Sequence, residues 1–178
     1  RHEIPYSNKV FAVFLLGTLI PGEILTVSQF TVISAIGLYN NIWGVILPVV
    51  TTTTGIFMYR QHFMSIPLSL AESARLDGAG EFKIFTTIMM PLASSVTVSL
   101  TIFSFVWRWN DYIWPLLALS DPKKYTLQLA LRTLSGAEAV NWTVLLSTAV
   151  LSMIPILIVF IVFNKQIMNA NMSSGVKG

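Results

Sequence analysis

The sequence predicts an all-α protein, a polytopic bundle of helices that cross a membrane. Of its 178 residues, 54% are hydrophobic and only 11% are charged, whereas about 25% of the residues of a soluble domain are charged. The mean hydropathy is +0.70. Its apolar stretches are long enough to cross a bilayer, which requires about 20 residues of helix. Charge this sparse does not cover the surface of a water-soluble globule, so the composition disfavours a soluble domain.

The composition also disfavours several other classes of protein. The chain has no cysteine, which excludes a disulfide framework and a thiolate metal site. Its two histidines, His2 and His62, are far apart, and we expect no metal site. The net charge of +3 comes from scattered Lys and Arg residues, so nucleic-acid binding is not indicated. No pairing of a nucleophile with a base points to an enzyme, and we expect neither catalytic residues nor a bound cofactor.

Four apolar stretches are predicted to cross the membrane: residues 10–27, 42–59, 91 to about 119, and 143–163. The first is interrupted by Pro21-Gly22-Glu23, and the last is the most uniformly apolar. Prolines also lie inside the second and fourth stretches, where each removes a backbone donor and tends to kink a helix. Kinked spans are common in transporters, although ordinary packing irregularity also produces them.

The Lys and Arg residues predict that both ends of the chain lie in the cytoplasm. With an even number of crossings, seven of these eleven residues fall on the cytoplasmic side and three fall in the external loop, as the positive-inside rule favours. Tryptophan prefers the level of the lipid headgroups. All five tryptophans lie near predicted outer ends of spans and are expected to form an aromatic belt: Trp43, Trp107, Trp109, Trp114 and Trp142.

Glu23 is a candidate residue of a solute path because it follows a break inside the first apolar stretch. A carboxylate inside a membrane is costly, and such residues are often functional. The alternative is that Pro21-Gly22 ends the crossing early. Glu23 then lies at the start of an interfacial helix, where a negative charge suits the helix dipole.

Residues 107–115, which read Trp-Arg-Trp-Asn-Asp-Tyr-Ile-Trp-Pro, supply two further candidates for a solute path. Arg108 and Asp111 are three residues apart, so on one helix they can form an ion pair. One interpretation is an interfacial ion pair within the aromatic belt. The other is a polar cavity wall, in which Asn110 and Asp111 bind the hydroxyl groups of a sugar while aromatic rings stack on its apolar faces.

The segment between the second and third stretches, residues 66–91, carries the strongest pattern. Pro67 suits the start of a helix, where no backbone donor is needed. Gly78 suits the left-handed turn that ends a helix. A second helix is predicted from about residue 81 to residue 90, leading into the third span. The pattern predicts a short amphipathic helix on the membrane face, which lies on lipid or docks in the groove of a partner.

Lipid alone is a poor partner for this short helix. Its basic content is low, and anionic lipid would repel the carboxylates of Glu72 and Asp77. Docking on a partner protein is the better interpretation.

The same segment resembles the EAA loop of ABC-importer permeases. That loop is written Glu-Ala-Ala, three residues, Gly, nine residues, Ile, two residues, Pro, and both spacings are present in this sequence. The matching residues are Glu72, Ser73, Ala74, Gly78, Ile88 and Pro91. Ser73 stands where the family usually has Ala, and Met90 stands where Leu is usual. The first replacement retains a small residue and the second conserves volume, so docking is expected to survive.

The resemblance extends over nearly the whole chain and points to the carbohydrate (MalG-like) branch. It includes the break at 20–23, Gly-Leu-Tyr at 37–39, the block at 109–116 and the final Gly-Val-Lys-Gly at 175–178. It implies an inner-membrane permease for binding-protein-dependent transport. Residues 1–178 would form the transmembrane domain of a type I (MetI-like) ABC importer, with the coupling loop at 66–91.

The resemblance also implies site residues and partners. Full-length relatives have six spans, so about four of the six are expected here, and two N-terminal spans are expected to be missing. The coupling loop would dock in a cleft of an ATP-hydrolysing subunit dimer, where Glu72 would contact a basic residue and residues 173–178 would also approach. The other implied partners are a second permease, an external solute-binding protein docked on residues 121–141, and the lipid of a prokaryotic inner membrane. The implied coupling residues are Glu72, Ser73, Ala74, Asp77, Gly78 and Pro91.

The sequence and the resemblance also indicate the source of energy and the class of solute. The sequence has no G-x-x-x-x-G-K-[ST] loop, so ATP is expected to bind to the partner subunit. The implied solute is a sugar or oligosaccharide, and glycerol phosphate is an alternative. From the residues alone, a secondary transporter or a membrane scaffold without transport also stays open. The first would need mid-membrane ionisable residues and an internal repeat, and the second would not need a glycine-hinged loop.

Overall fold

The computed structural model describes the backbone of residues 5–175 and the side chains of residues 5–164, and all regular structure within that range is helical. This confirms the predicted all-α class. Short 3-10 turns lie at Gly17–Leu19, Leu47–Val49 and Pro122–Lys124, and a π-helical segment at Phe85–Met89. The helices are α1 Ser7–Leu16, α2 Gly22–Ala35, α3 Ile42–Ile46, α4 Thr53–Ser65, α5 Leu68–Leu76, α6 Glu81–Ile84, α7 Met90–Leu92, α8 Ser94–Asn110, α9 Ile113–Ala118, α10 Leu127–Ser135 and α11 Trp142–Gly175.

The described residues contain two to four stretches that can cross a membrane by length and composition. Ile42–Ser65 and Trp142–Asn164 each qualify alone. Two further stretches qualify only as pairs of helices joined by a bend: Ser7–Leu19 with Gly22–Ala35, and Glu81–Leu92 with Ser94–Asn110. The number agrees with the four predicted spans when each bent pair is one crossing. The break predicted at Pro21-Gly22 separates the members of the first pair.

The predicted third span is wrong at its C-terminal end. It was expected to run from residue 91 to about residue 119, but α8 ends at Asn110 and α9 starts separately at Ile113. The reason is a local cap: the Asp111 carboxylate accepts the Trp114 backbone N–H at 3.3 Å and so begins a new helix. Arg108, Asn110 and Asp111 lie at this break, but the aromatic and apolar residues around them led to the prediction of one continuous span.

The chain divides into two compact units, and the first comprises residues 1–19, 52–101 and 165–178. In this unit α1 packs on α4, where the rings of Phe11 and Phe57 stack with centroids 6.2 Å apart. The Tyr59 hydroxyl of α4 donates to Thr97 Oγ1 of α8 at 2.9 Å. These contacts hold the helices that flank the segment 66–91.

The second unit comprises residues 20–51 and 102–164. Its core is formed by the buried side chains of Ile33, Trp114 and Ala118. The Trp114 indole N–H donates to the Val45 carbonyl at 3.2 Å. Only 5% of Trp114 is exposed, so its predicted place in an interfacial aromatic belt is wrong. Tertiary packing places this ring in a protein core, although the block around it has the composition of a headgroup-level segment.

Candidate functional site

The glycine turn predicted after the short helix is present, and it is a complete Schellman motif. Gly78 has φ +79°, in the left-handed region. Its N–H donates to the Arg75 carbonyl at 3.0 Å, and the Ala79 N–H donates to the Ala74 carbonyl at 2.9 Å. These are the two bonds that define the motif, and a residue without Cβ is the natural choice at its left-handed position. The turn therefore fixes how the chain leaves α5.

The chain then returns along α6 and the π-helical segment towards Pro91. Ala71 of α5 and Ile84 of α6 are both buried, and both line a cleft of about 400 Å³ between the two arms. Pro91 lies in α7, well beyond the turn, and is exposed. The segment 66–91 is thus a helical hairpin. Its first arm, α5, buries only Ala71, and Pro91 belongs to its second arm.

An ion pair joins the two arms across the turn. Arg75 Nε donates to Glu81 Oε1 at 2.6 Å, and Arg75 Nη2 donates to Glu81 Oε2 at 3.2 Å. The hydrogen bond and charge of Glu81 raise the pKa of Arg75, with a smaller contribution in the same direction from Glu72. Bidentate pairs of this kind restrict geometry as well as adding attraction.

The outward surface of the hairpin combines carboxylates with large apolar side chains. Glu72, Ser73 and Asp77 are exposed, and Ala74 is half-buried. Leu76 is 90% exposed and Phe82 is 80% exposed, on either side of the turn. Apolar side chains this exposed, beside charged ones, are candidates for contact with another molecule. The structure thus groups the predicted coupling residues 72–78 on one helix and its turn.

The predicted ion pair of the second unit is confirmed. Arg108 Nη1 lies 3.2 Å from Asp111 Oδ2, and the other carboxylate oxygen of Asp111 caps α9. Both residues line a groove of about 280 Å³ that also includes Trp114 and Thr126. Asn110 is exposed, and its amide donates to the Val106 carbonyl at 2.8 Å. The other lining residues are mostly apolar, and the Arg108 guanidinium and the Asp111 carboxylate bind each other.

Glu23 lies in the first turn of α2 and is exposed. A carboxylate at that position interacts favourably with the helix dipole. This position matches the alternative in which the break ends the crossing and Glu23 starts a new helix. Its predicted role in a solute path stays a prediction.

Two features were missed from the sequence. The sequence contains an indication of the Arg75–Glu81 ion pair, since opposite charges flank a predicted glycine turn. The indication for Asn40 is weaker. This residue adopts φ +54°, a conformation that asparagine tolerates better than most residues. Its side-chain oxygen accepts the backbone N–H groups of Ser120 at 3.2 Å and Asp121 at 3.1 Å. The tail predicted to approach a partner, 173–178, lies outside the described side chains.

Comparison with known proteins agrees with this architecture. The family described as "Binding-protein-dependent transport system inner membrane component" matches residues 7–170. The chain is 32% identical over 171 residues to the arabinooligosaccharides transport system permease protein AraQ of Bacillus subtilis (strain 168), covering 96% of this chain and 61% of that protein. It is 31% identical over 164 residues to the sn-glycerol-3-phosphate transport system permease protein UgpE of Yersinia pestis, covering 90% and 58%.

A solved structure shares the fold. A chain of "a bacterial ABC transporter involved in the import of the acidic polysaccharide alginate" superposes with a TM-score of 0.80 at 25% identity, covering 93% of this chain and 63% of that one. This chain thus spans less than two thirds of the length of these relatives. Its helices are those of the transmembrane domain of an ABC-importer permease. The chain belongs to the family of binding-protein-dependent transport system inner membrane components.

Proposed function

We propose that this chain works as part of a permease subunit in an ATP-driven, binding-protein-dependent importer of a sugar or oligosaccharide. The observation that carries the proposal is the hairpin 66–91. It presents Glu72, Asp77 and the exposed Leu76 on a helix that is ended by a rigid glycine turn. In a chain of this family, such an element suits contact with an ATP-hydrolysing subunit.

The proposed coupling mechanism uses the hairpin as a lever. The sequence has no phosphate-binding loop, so a partner subunit dimer binds and hydrolyses ATP. Docked in a cleft of that dimer, α5 moves as a rigid unit when the dimer closes. Glu72 holds a basic residue of the cleft, and the Schellman turn passes the motion to the second arm. The spans then shift between inward-facing and outward-facing arrangements, a two-state change biased by ATP.

The solute passes between this chain and a second, homologous permease. The hairpin and the C-terminus lie on the cytoplasmic side, and residues 121–141, which include α10, receive a solute-binding protein on the outside. Glu23, Asn110 and Asp111 are the candidates for the path. The position of Asp111 in the lining of the groove in the second unit supports its place among these candidates.

The coupling role is tested by Gly78→Val, with Gly78→Asn as a matched control of similar size. Valine at φ +79° is strained by about 1–2 kcal/mol, whereas asparagine tolerates this conformation. We expect Gly78→Val to abolish most uptake by the assembled transporter in proteoliposomes while ATP is still hydrolysed, and Gly78→Asn to retain both. Normal uptake by Gly78→Val would refute the coupling role of the hairpin.

The choice of solute is tested separately, because one relative is named for arabinooligosaccharides and another for sn-glycerol-3-phosphate. Cells that express the complete transporter are given a labelled pentose oligosaccharide or labelled glycerol 3-phosphate. Uptake of the oligosaccharide alone is the expected result. Uptake of glycerol 3-phosphate alone would assign the chain to the alternative solute.

A further inference from the structure

Glu72 and Arg75 are close enough in sequence to neutralise each other. They are three residues apart on α5, a spacing that brings opposite charges together on a helix surface. Yet within residues 5–164 no hydrogen bond or ion pair engages the Glu72 carboxylate. The guanidinium that would pair with it points instead across the turn.

Glu81 holds that guanidinium. Both of its carboxylate oxygens accept bonds from Arg75, at 2.6 and 3.2 Å, whereas Glu72 acts on Arg75 only through its charge at longer range. The Gly78 turn makes this possible because it brings the start of α6 back beside the last turn of α5. Arg75 could therefore pair with either Glu72 or Glu81, and in the structure it pairs with Glu81, on the second arm.

We infer that Glu81 is a positioning residue: by holding Arg75, it leaves Glu72 a free carboxylate for a cation of the docked ATP-hydrolysing subunit. This rests on the proposed function. With Arg75 engaged, α5 and its C-terminal cap present two carboxylates that have no hydrogen bond or ion pair among the side chains of residues 5–164, Glu72 and Asp77, around the exposed Leu76. The surface that fits them is an apolar cleft with basic residues on its rim.

A simpler role for the Arg75–Glu81 ion pair is to stabilise the hairpin and nothing more. The two roles predict different effects of the variants on binding of the ATP-hydrolysing subunit. If the pair only stabilises the hairpin, Arg75→Gln and Glu81→Gln break the same bonds and have equal effects. If Glu81 keeps Arg75 away from Glu72, only Glu81→Gln is harmful, because it releases Arg75 to pair with Glu72. The double variant Arg75→Gln/Glu81→Gln then recovers, since no cation is left to compete.

The experiment measures how much cognate ATP-hydrolysing subunit stays bound to the tagged full-length permease after membrane extraction and washing at moderate salt. We expect Glu81→Gln to lower retention about two- to fivefold, the range of an exposed ion pair. Arg75→Gln and the double variant should stay within about twofold of the native protein. Equal losses in Arg75→Gln and Glu81→Gln, or no recovery in the double variant, would overturn the inference.

Glu72→Gln separates this inference from the proposed function. If the hairpin docks as proposed, Glu72→Gln lowers retention in the native protein and in the Arg75→Gln variant, in both of which no cation of the hairpin competes for Glu72. If retention is unchanged in Glu72→Gln, the docking role of Glu72 fails, and the inference about Glu81 fails with it. Equal thermal stability of all the variants, measured by fluorescence-detected size-exclusion chromatography, shows that the losses do not come from unfolding.

Discussion

Two short helices of this protein, α5 and α9, share a few features of composition but differ in what covers them. Each has a proline at or near its start and a carboxylate and large apolar side chains close by. Helix α9 buries Trp114, Pro115 and Ala118 in the core of its unit. Helix α5 buries only Ala71 and leaves Leu76 almost fully exposed. The first helix is packed into its own chain, and the second leaves most of its surface exposed, as the proposed docking requires.

The carboxylates of the two regions show the same difference. Asp111 is used internally, because it pairs with Arg108 and caps α9. Glu72 is free of such bonds within the described side chains, since Arg75 is held by Glu81. A carboxylate satisfied by its own chain stabilises the fold, whereas a free one beside exposed apolar residues is available to a partner.

The sharpest test of the comparison pairs Trp114→Ala with Leu76→Ala. Removing the buried indole leaves a cavity and removes the hydrogen bond to the Val45 carbonyl, so we expect a loss of about 3–5 kcal/mol in the free energy of unfolding. Leu76→Ala removes an exposed side chain and should change that free energy by less than about 0.5 kcal/mol. Unfolding titrations of the purified transporter in mixed detergent–SDS micelles measure both. A stability loss as large in Leu76→Ala as in Trp114→Ala would contradict the comparison.

A second test uses Gly44→Ala, with Gly17→Ala as control. A Cβ on Gly44 would overlap the Leu38 carbonyl oxygen, a backbone atom that cannot move without disturbing the core around Ile33. A Cβ on Gly17 meets nothing, and Gly17 has φ −59°. We expect Gly44→Ala to cost about 1–3 kcal/mol and Gly17→Ala to be neutral or slightly stabilising. The same titrations apply, and equal stability of the two variants would show that the second unit is loosely packed at α3.

The smallest effect concerns Asn40, which ties the start of α3 to the loop after α9. Asn40→Gly keeps the left-handed backbone but removes the two bonds to Ser120 and Asp121, at a cost of about 1 kcal/mol. Asn40→Ala also imposes strain at φ +54° and should cost about 1 kcal/mol more. Thermal unfolding of the purified transporter ranks them. If alanine is no worse than glycine, the left-handed conformation of Asn40 is not important for stability.

The local features were predictable because they depend on neighbours in sequence. The glycine turn at Gly78 follows from the absence of a Cβ, and the Arg108–Asp111 pair follows from helical spacing. The break at Pro21-Gly22 follows from the missing donor of a proline. The end of the third span was missed because the polar residues at the break, Arg108, Asn110 and Asp111, lie between aromatic and apolar residues that continue the stretch on both sides.

By itself, then, the sequence determined the helical class, the approximate number of stretches that can cross a membrane and the position of the hairpin 66–91, since all three depend on composition and local spacing. Only the tertiary structure decided which side chains are buried or hydrogen-bonded within the chain. Trp114 is buried because Ile33 and Val45, distant in sequence, surround it. Arg75 pairs with Glu81 rather than Glu72 because the turn brings the second arm alongside the first. Both outcomes depend on contacts between separate helices, which helical spacing and composition do not specify.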